Sequence, residues 1–267
     1  MSAHPKVCTT VELTLFDRYT APWIKVWEDE SANIKQGRWC QGLPFLWSED
    51  EFYGFLREFL GKVYDRVLSN NPGATHILDK HPRYSLYVED INRLLPNARF
   101  IHMIRDGRDV AVSMVAAREK MGFGTGTIPD SAEAWSKYVR AAQEAGKYDG
   151  RYLEVRYEEL YSDGVNVVED VFDFCGLKAS REEVTAIVDE YQFEKNKARK
   201  ITAARNVEAL DGHYRKGKVG SWLEELPTEQ RQVFNEIAGD LLGELGYTRD
   251  PSWIKQREVG KECVEVY

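Results

Sequence analysis

The sequence lacks the features that mark membrane, metal-binding or disulfide-linked proteins. No apolar run approaches the roughly 18 residues that a membrane span needs, and no secretory signal stands at the start. The cysteines are scattered, without a Cys-x-x-Cys pair or the spacing of zinc ligands; they are Cys8, Cys40, Cys175 and Cys263. We therefore expect reduced thiols in a cytoplasmic protein, with no metal site and no membrane span.

The sequence also has fewer cationic than anionic side chains, and it lacks the glycine-rich nucleotide-binding motifs. The 36 Lys and Arg residues are outnumbered by 44 Asp and Glu, so the net charge is −8 and binding to nucleic acid is not expected. Neither GxxxxGK followed by Ser or Thr nor GxGxxG occurs. An anionic ligand therefore needs a local basic patch. The stretch from Lys195 to Lys218 supplies one, with eight Lys or Arg against Glu208 and Asp211.

The sequence does contain short apolar strands that alternate with helical patterns. Strands are predicted at His76–Leu78, Arg99–Ile104 and Arg151–Arg156, and helices at Leu86–Leu95, Val110–Lys120 and Ala132–Ala145. This order is typical of an α/β fold with a parallel sheet flanked by helices. The length of 267 residues suits a single domain over residues 1–267, in which residues 251–267 form either a short helix or a loose tail.

Two further helices have clear start signals. Ser48 to Glu51 is a capping box ahead of apolar positions that begin at Phe52. Pro227 and Thr228 open a helix that closes near Gly246. Both segments are predicted to pack an apolar face against the core.

The segment from Arg99 to Met114 is the most informative of the chain. An apolar strand ends at Arg105, and a helix that starts near Asp109 carries Ser113 in its early turns. A helix amino terminus binds anions, and one guanidinium with one hydroxyl can hold a phosphate. The alternative is a surface Arg and a helix Ser, with Asp109 as the cap.

The run LPNARFIHMIRDGRDVAVS resembles the 3′-phosphate-binding segment of sulfotransferases that use 3′-phosphoadenosine 5′-phosphosulfate (PAPS), in particular the bacterial and carbohydrate type. The resemblance implies a P-loop nucleotide-kinase-like sulfotransferase fold with PAPS as co-substrate. It also implies that Arg105 and Ser113 bind the 3′-phosphate.

Two later segments carry the same resemblance. VRYEEL is similar to a strand end whose tyrosine, here Tyr157, contacts the adenine in some members. HYRKGKVGSW resembles the loop Arg-Lys-Gly-x-x-Gly-Asp-Trp, with Ser221 where Asp is usual. By this match Arg215, Lys216 and Gly217 close over the 3′-phosphate. The alternatives are an ordinary half-buried tyrosine and a solvated basic loop.

The reacting end is matched by two segments near the start. TVELTLFD resembles the Glu-x-His-Phe-Phe-Asp motif of carbohydrate sulfotransferases, in which the Glu deprotonates the acceptor; Glu12 takes that position, and Thr14 replaces the His. DKHPRY resembles a Lys-x-Pro segment whose Lys, here Lys80, neutralises charge at the transferring group. His81 is the second candidate for the base, and its alternative role is to cap a helix.

The family's opening strand and its Pro-x-Ser/Thr-Gly-Thr-Thr loop, which holds the 5′-phosphosulfate, have no match in the sequence. Either the true start lies upstream of Met1, or the chain is short and cannot hold that end of the donor. We expect the former, because a sheet without its central strand leaves backbone groups unpaired.

The predicted function is transfer of a sulfuryl group from PAPS to a hydroxyl or amine. The alternatives are a sulfotransferase-like protein that binds the nucleotide without catalysis, and a kinase-like phosphoryl transferase. The partner is a small-molecule, carbohydrate or lipid acceptor; a sugar, a lipid, a phenol and a peptide tyrosine all stay open. The predicted acceptor walls are Trp39–Trp47 and Met121–Thr127.

Overall fold

The computed structural model describes residues 1–10, 12–38, 41–191 and 217–256. Two pairs of short strands lie among helices. β1 (Val7–Thr9) and β2 (His76–Leu78) pair in parallel, with Val7 opposite His76 and Thr9 opposite Leu78. β3 (Phe100–Ile104) and β4 (Tyr152–Arg156) form a second two-stranded sheet. The predicted α/β class is confirmed, and β1 is a strand that the sequence did not predict.

Helices make up most of the described chain. The α-helices are α1 (Ala21–Lys35), α2 (Glu49–Ser69), α3 (Val88–Leu94), α4 (Gly107–Met121), α5 (Ile128–Gln143), α6 (Tyr157–Ser162), α7 (Gly164–Cys175), α8 (Arg181–Glu190), α9 (Trp222–Glu225) and α10 (Thr228–Glu244). Tighter 3-10 turns occupy Leu43–Phe45, Pro82–Tyr87, Glu144–Lys147 and Pro251–Lys255, and a π-helical turn occupies Leu15–Thr20.

Helix caps explain where prediction and structure differ. Helix α4 begins at Gly107 instead of near Asp109, because the Asp106 side chain accepts a hydrogen bond from the Arg108 N–H and acts as the cap. Gly107 is required there, since a Cβ atom would come within 2.5 Å of the Trp135 ring. The predicted capping box at Ser48 is confirmed, with both reciprocal hydrogen bonds to Glu51 present.

The chain divides into two compact units. The first comprises Met1–His102, Ala141–Glu154 and Val168–Ser180. Its core joins the π-helical turn to α1, α2 and α3, with the Trp27 and Phe52 rings stacked 4.3 Å apart. The core residues are Leu15, Phe16, Ile24, Trp27, Phe52, Tyr53, Leu56, Leu60, Ile91 and Leu94.

The second unit comprises Met103–Arg140, Val155–Val167 and the described residues of Arg181–Tyr267. Its core joins α4, α5, α9 and α10. Trp253, in the turn Pro251–Lys255, is buried in this core, so the described part of residues 251–267 is a short helical turn. The single domain over residues 1–267 stays a prediction.

Within the described residues no helix combines the length and the apolarity that crossing a membrane requires. Cys8 and Cys175 are buried free thiols. Nor do the residues that the structure describes hold a cluster of side chains suited to a metal ion.

Candidate active site

The half-buried carboxylate of Asp79, which follows β2, ties together four parts of the first unit. It accepts hydrogen bonds from the hydroxyls of Thr10 at 3.3 Å, Tyr64 at 3.0 Å and Tyr84 at 3.2 Å. Burial raises the pKa of Asp79, and the three hydroxyl donors oppose that rise. Asp79 therefore fixes the turn that follows β2 against β1, α2 and the 3-10 turn Pro82–Tyr87.

The segment that carries Glu12 is anchored at both ends. At one end the Thr10 N–H donates to the Leu78 carbonyl oxygen at 3.5 Å. At the other the Leu15 N–H donates to the Tyr84 hydroxyl at 2.9 Å. Glu12 is thus held beside the turn that follows β2. This is because β1 and β2 are parallel, so the segments that follow them leave the sheet at the same edge.

Thr14 has a left-handed backbone, with φ of 54° and ψ of 26°, where the π-helical turn begins. Among the described residues it is the only residue other than glycine with positive φ. A β-branched side chain disfavours this conformation, and such strain costs of order 1–3 kcal/mol. Contacts on either side of Thr14 must therefore hold it in place.

The three predicted catalytic residues come together in the first unit. The Lys80 ammonium donates to Glu12 Oε1 at 2.6 Å, and His81 Nε2 lies 3.7 Å from Glu12 Oε2. Glu12 and Lys80 are exposed, whereas the His81 side chain is only 12% exposed. A carboxylate, an ammonium and an imidazole at these distances can take up a proton and offset negative charge.

His81 stands at the N-cap position of the turn Pro82–Tyr87, but its side chain makes no capping hydrogen bond. The ring instead packs on Tyr84, with centroids 5.3 Å apart, and its Nδ1 lies 3.9 Å from Asp17 Oδ1. Asp17 also pairs with Arg83, whose Nε lies 3.3 Å from Oδ2. Sequence reasoning assigned no role to Asp17, although the motif that pointed to Glu12 ends at this residue.

A second group of residues surrounds the carboxyl end of β3 in the second unit. Arg105 Nη2 donates to the Lys218 carbonyl oxygen at 2.8 Å and to Asp109 Oδ2 at 3.3 Å. Its guanidinium lies over the Tyr157 ring, 4.6 Å from the centroid. The Tyr157 hydroxyl donates to the Gly217 carbonyl oxygen at 3.0 Å. Burial raises the pKa of Tyr157, which keeps this donor protonated.

Asp109 organises the loop that follows Gly217. Its fully buried carboxylate accepts hydrogen bonds from the Gly220 N–H, the Ser221 hydroxyl and the Trp222 N–H, all at 2.9–3.0 Å. The alternative in which Asp109 caps the helix is wrong, since Asp106 fills that position. No local sequence pattern indicates this contact, because the partners lie more than 100 residues apart in the chain.

The other predicted nucleotide-binding residues are placed in part. Ser113 lies in the second turn of α4, four residues after Asp109 and therefore on the same helix face. Gly217 adopts a left-handed conformation with φ of 61°, which allows its tight turn. Arg215 and Lys216 lie outside the described residues.

These residues fit a bound phosphate. Arg105 Nε is buried and has no hydrogen-bond partner in the described part of the chain, so the guanidinium retains a donor for an anion. The amino terminus of α4, at Gly107, begins two residues later and adds its free N–H groups. A guanidinium with a spare donor beside a helix start is suited to binding a phosphate group.

Comparison with known proteins decides the family. The model of the sulfotransferase family matches residues 1–181, about two thirds of the chain. The chain belongs to the sulfotransferase family. The prediction of a PAPS-dependent sulfotransferase is thereby confirmed at the level of the family, and so is the prediction that the chain is an enzyme of this class.

Individual relatives of this sulfotransferase are distant. It is 25% identical over 254 residues to a putative protein-tyrosine sulfotransferase of Caenorhabditis elegans. The aligned residues cover 92% of this chain and 89% of the relative. It is 24% identical over 265 residues to protein-tyrosine sulfotransferase 2 of Gallus gallus, with 92% and 64% covered. A crystal structure of a mouse sulfotransferase complexed with PAP has a TM-score of 0.52 at 22% identity, over 65% of this chain and 68% of that chain. That likeness concerns the fold.

Proposed function

We propose that this sulfotransferase moves a sulfuryl group from PAPS to the phenolic hydroxyl of a tyrosine in a peptide or protein. The observation that carries the proposal is the pairing of Glu12 with Lys80 at 2.6 Å, in reach of His81. The similarity to protein-tyrosine sulfotransferases over 92% of the chain supports tyrosine as the acceptor.

In this proposal the residues around the carboxyl end of β3 hold the nucleotide. Arg105 and Ser113 bind the 3′-phosphate of PAPS, and the loop residues Arg215, Lys216 and Gly217 complete that contact. Tyr157 contributes to the adenine contact. The spare Nε donor of Arg105 supports this assignment, and so does the Asp109 carboxylate that fixes the loop.

Glu12 and Lys80 supply the acid–base groups. PAPS supplies the sulfuryl group and departs as adenosine 3′,5′-bisphosphate (PAP). The acceptor oxygen loses its proton and forms the new bond to sulfur, while the bond from sulfur to the bridging oxygen of the donor breaks. Glu12 accepts the acceptor's proton, and Lys80 offsets the negative charge that develops during transfer. The chemistry parallels phosphoryl transfer in its reliance on position and charge.

An exposed aromatic surface supports an aromatic acceptor. Trp23 of α1, Phe55 of α2 and Trp47 form one side of it, with Trp23 stacked on Phe55 at 6.0 Å and Trp47 at 5.8 Å from Phe55. Tyr19 and Phe59 continue it. We call these five residues the aromatic platform. It includes the end of the predicted wall Trp39–Trp47, and such rings bind a phenol by stacking.

The cytoplasmic location and the P-loop-like character of the fold belong to the proposal as well. The buried free thiols of Cys8 and Cys175 support a reducing compartment. The second predicted acceptor wall, Met121–Thr127, stays a prediction, with Phe123 exposed on it.

The test of the proposed function compares donors and acceptors in one assay. The purified chain is incubated with radiolabelled PAPS or with labelled ATP. The acceptors are a tyrosine peptide, the same peptide with phenylalanine, 4-nitrophenol and an oligosaccharide. We expect label on the tyrosine peptide from PAPS alone. Label transfer from ATP, or transfer to the oligosaccharide in place of the peptide, contradicts the proposal, as does binding of PAP without turnover of PAPS.

A further inference from the structure

Two buried polar atoms of the first unit face each other without a partner. Asp17 Oδ1 and His81 Nδ1 make no hydrogen bond within the described residues, and they lie 3.9 Å apart. The Asp17 side chain is 7% exposed and that of His81 is 12% exposed. An unsatisfied buried donor or acceptor costs free energy, so such atoms are rare and call for an explanation. A shift of about 1 Å would bring this pair to hydrogen-bond distance.

The contacts around Asp17 leave one oxygen for the imidazole. Arg83 Nε lies 3.3 Å from Asp17 Oδ2, and Oδ1 faces His81. A neutral imidazole has one N–H donor and one acceptor nitrogen. A carboxylate beside Nδ1 places the proton there, and the lone pair of Nε2 then faces Glu12 Oε2 at 3.7 Å.

We propose that Asp17 positions His81 to accept the proton that Glu12 takes from the acceptor hydroxyl. The inference rests on the proposed function and adds a destination for the proton. The acceptor O–H bond breaks and its proton goes to Glu12. It passes from Glu12 to His81 Nε2, so that Glu12 returns to the carboxylate and His81 becomes an imidazolium beside Asp17. Solvent removes that proton after the sulfated product leaves.

The charges that surround His81 suit this role. Carboxylates, cations and a phenol face the ring from every element packed against it; they are Glu12, Asp17, Asp79, Lys80, Arg83 and Tyr84. A protonated imidazole cannot accept a second proton. The rate should therefore fall at low pH, because a charged His81 can no longer take the proton from Glu12.

The experiment measures kcat and KM with PAPS and the tyrosine peptide as a function of pH. Asp17→Asn and His81→Gln should lower kcat by about 10-fold or more and leave KM for PAPS unchanged. The low-pH fall that depends on His81 should disappear in His81→Gln. Added imidazole should restore part of the activity of His81→Ala and none of that of Glu12→Gln. His76→Ala, in strand β2, is the matched control and should behave like the wild type.

The outcomes separate this inference from the proposed function. If the wild type turns over PAPS, Glu12→Gln is inactive and the His81 variants keep the wild-type rate and pH profile, then only the inference is overturned. A lack of rescue in His81→Ala, with an unchanged low-pH fall in His81→Gln, overturns it as well. If His81→Ala does not fold, Asp17→Asn and His81→Gln decide. An inactive wild type overturns both proposals.

Discussion

Lys80 donates a 2.6 Å hydrogen bond to Glu12, although 68 residues of chain separate them. The parallel pairing of β1 with β2 explains how they meet, because both residues follow the carboxyl ends of adjacent strands. The ties from Asp79 to Thr10 and to Tyr84 then fix the two segments. The fold therefore sets the positions of Glu12 and Lys80. The attraction between two exposed charges is by itself worth little.

Replacing Glu12 by Gln should remove the proposed base and leave the fold intact. We expect kcat to fall by about 10²-fold or more, with little change in PAP affinity, because Glu12 acts on the acceptor. The matched control is Glu58→Gln, which breaks an exposed pair with Lys62 of similar length, 2.8 Å. Equal effects of the two substitutions on steady-state rates would exclude Glu12 as the base.

Replacing Arg105 by Ala should weaken nucleotide binding. The lost charge-assisted contact is worth about 1.5–3 kcal/mol, so the Kd for PAP should rise about 10-fold or more. Isothermal titration with PAP measures the effect. Arg140→Ala is the control, because Arg140 is half exposed and pairs with Glu244 at 3.0 Å in the same unit. An unchanged Kd for the Arg105 variant would remove Arg105 from the phosphate site.

Replacing Asp109 by Asn should loosen the loop from Gly220 to Trp222. One oxygen of Asp109 becomes an N–H donor and faces other donors, which costs about 1–3 kcal/mol. We expect a lower melting temperature and weaker PAP binding than in the exposed control Asp240→Asn of α10. A melting temperature equal to that of the control would show that the carboxylate contacts do not hold the loop.

The half-buried carboxylate of Asp79 should make stability depend on pH. Burial raises its pKa above the ordinary value of 3.8. Its stabilising contribution is therefore fully present below pH 3.8 and is lost as the pH rises through the raised pKa. Asp79→Asn should remove this dependence, since an amide can accept from Tyr64 and Tyr84 and donate to Thr10.

The matched variant Asp79→Ala should instead lower the free energy of unfolding by about 1–3 kcal/mol, because it leaves the hydroxyls without their shared acceptor. The free energy of unfolding of both variants is measured by urea unfolding from about pH 3 to about pH 7. This range begins near the ordinary carboxyl pKa values. Identical pH profiles for Asp79→Asn and the wild type would assign the dependence to another group.

Removing one ring from the aromatic platform should weaken binding of the acceptor alone. Phe55→Ala deletes the ring between Trp23 and Trp47, and we expect KM for the tyrosine peptide to rise by up to about 10-fold, with KM for PAPS unchanged. Tyr161→Ala removes an exposed aromatic side chain in the second unit and is the control. A rise in KM for PAPS would mean that the platform serves the donor.

Sequence patterns and the family resemblance pointed to the candidate site residues but not to the contacts that support them. Arg105 followed from a strand that ends before a helix, and Glu12 and Lys80 followed from resemblance to a family. β1 was missed, although β2, which has the same length of three residues, was predicted. The loop contacts of Asp109 were missed because no local pattern reports a partner in a distant part of the chain.

Helix ends show the same division between local and distant information. The capping box at Ser48 was predicted correctly, since both of its members lie within four residues. The start of α4 was predicted too late, because the cap at Asp106 also pairs with Arg108, which in turn donates to the Tyr247 carbonyl oxygen. The observed start at Gly107 lies two residues before the predicted one near Asp109.

β1 and β2 pair over only three residues each, and a short connector leads from each strand to Glu12 or to Lys80. The length of each connector is therefore as important for the site as the identity of these residues. Only three positions separate Thr9 from Glu12, and two separate Leu78 from Lys80. A slip of one residue turns every side chain of a strand to its other face. A single insertion or deletion in either connector would therefore part Glu12 from Lys80, even with every residue of the site retained. We therefore expect these two short segments to keep a constant length, although connections between secondary-structure elements usually tolerate length variation.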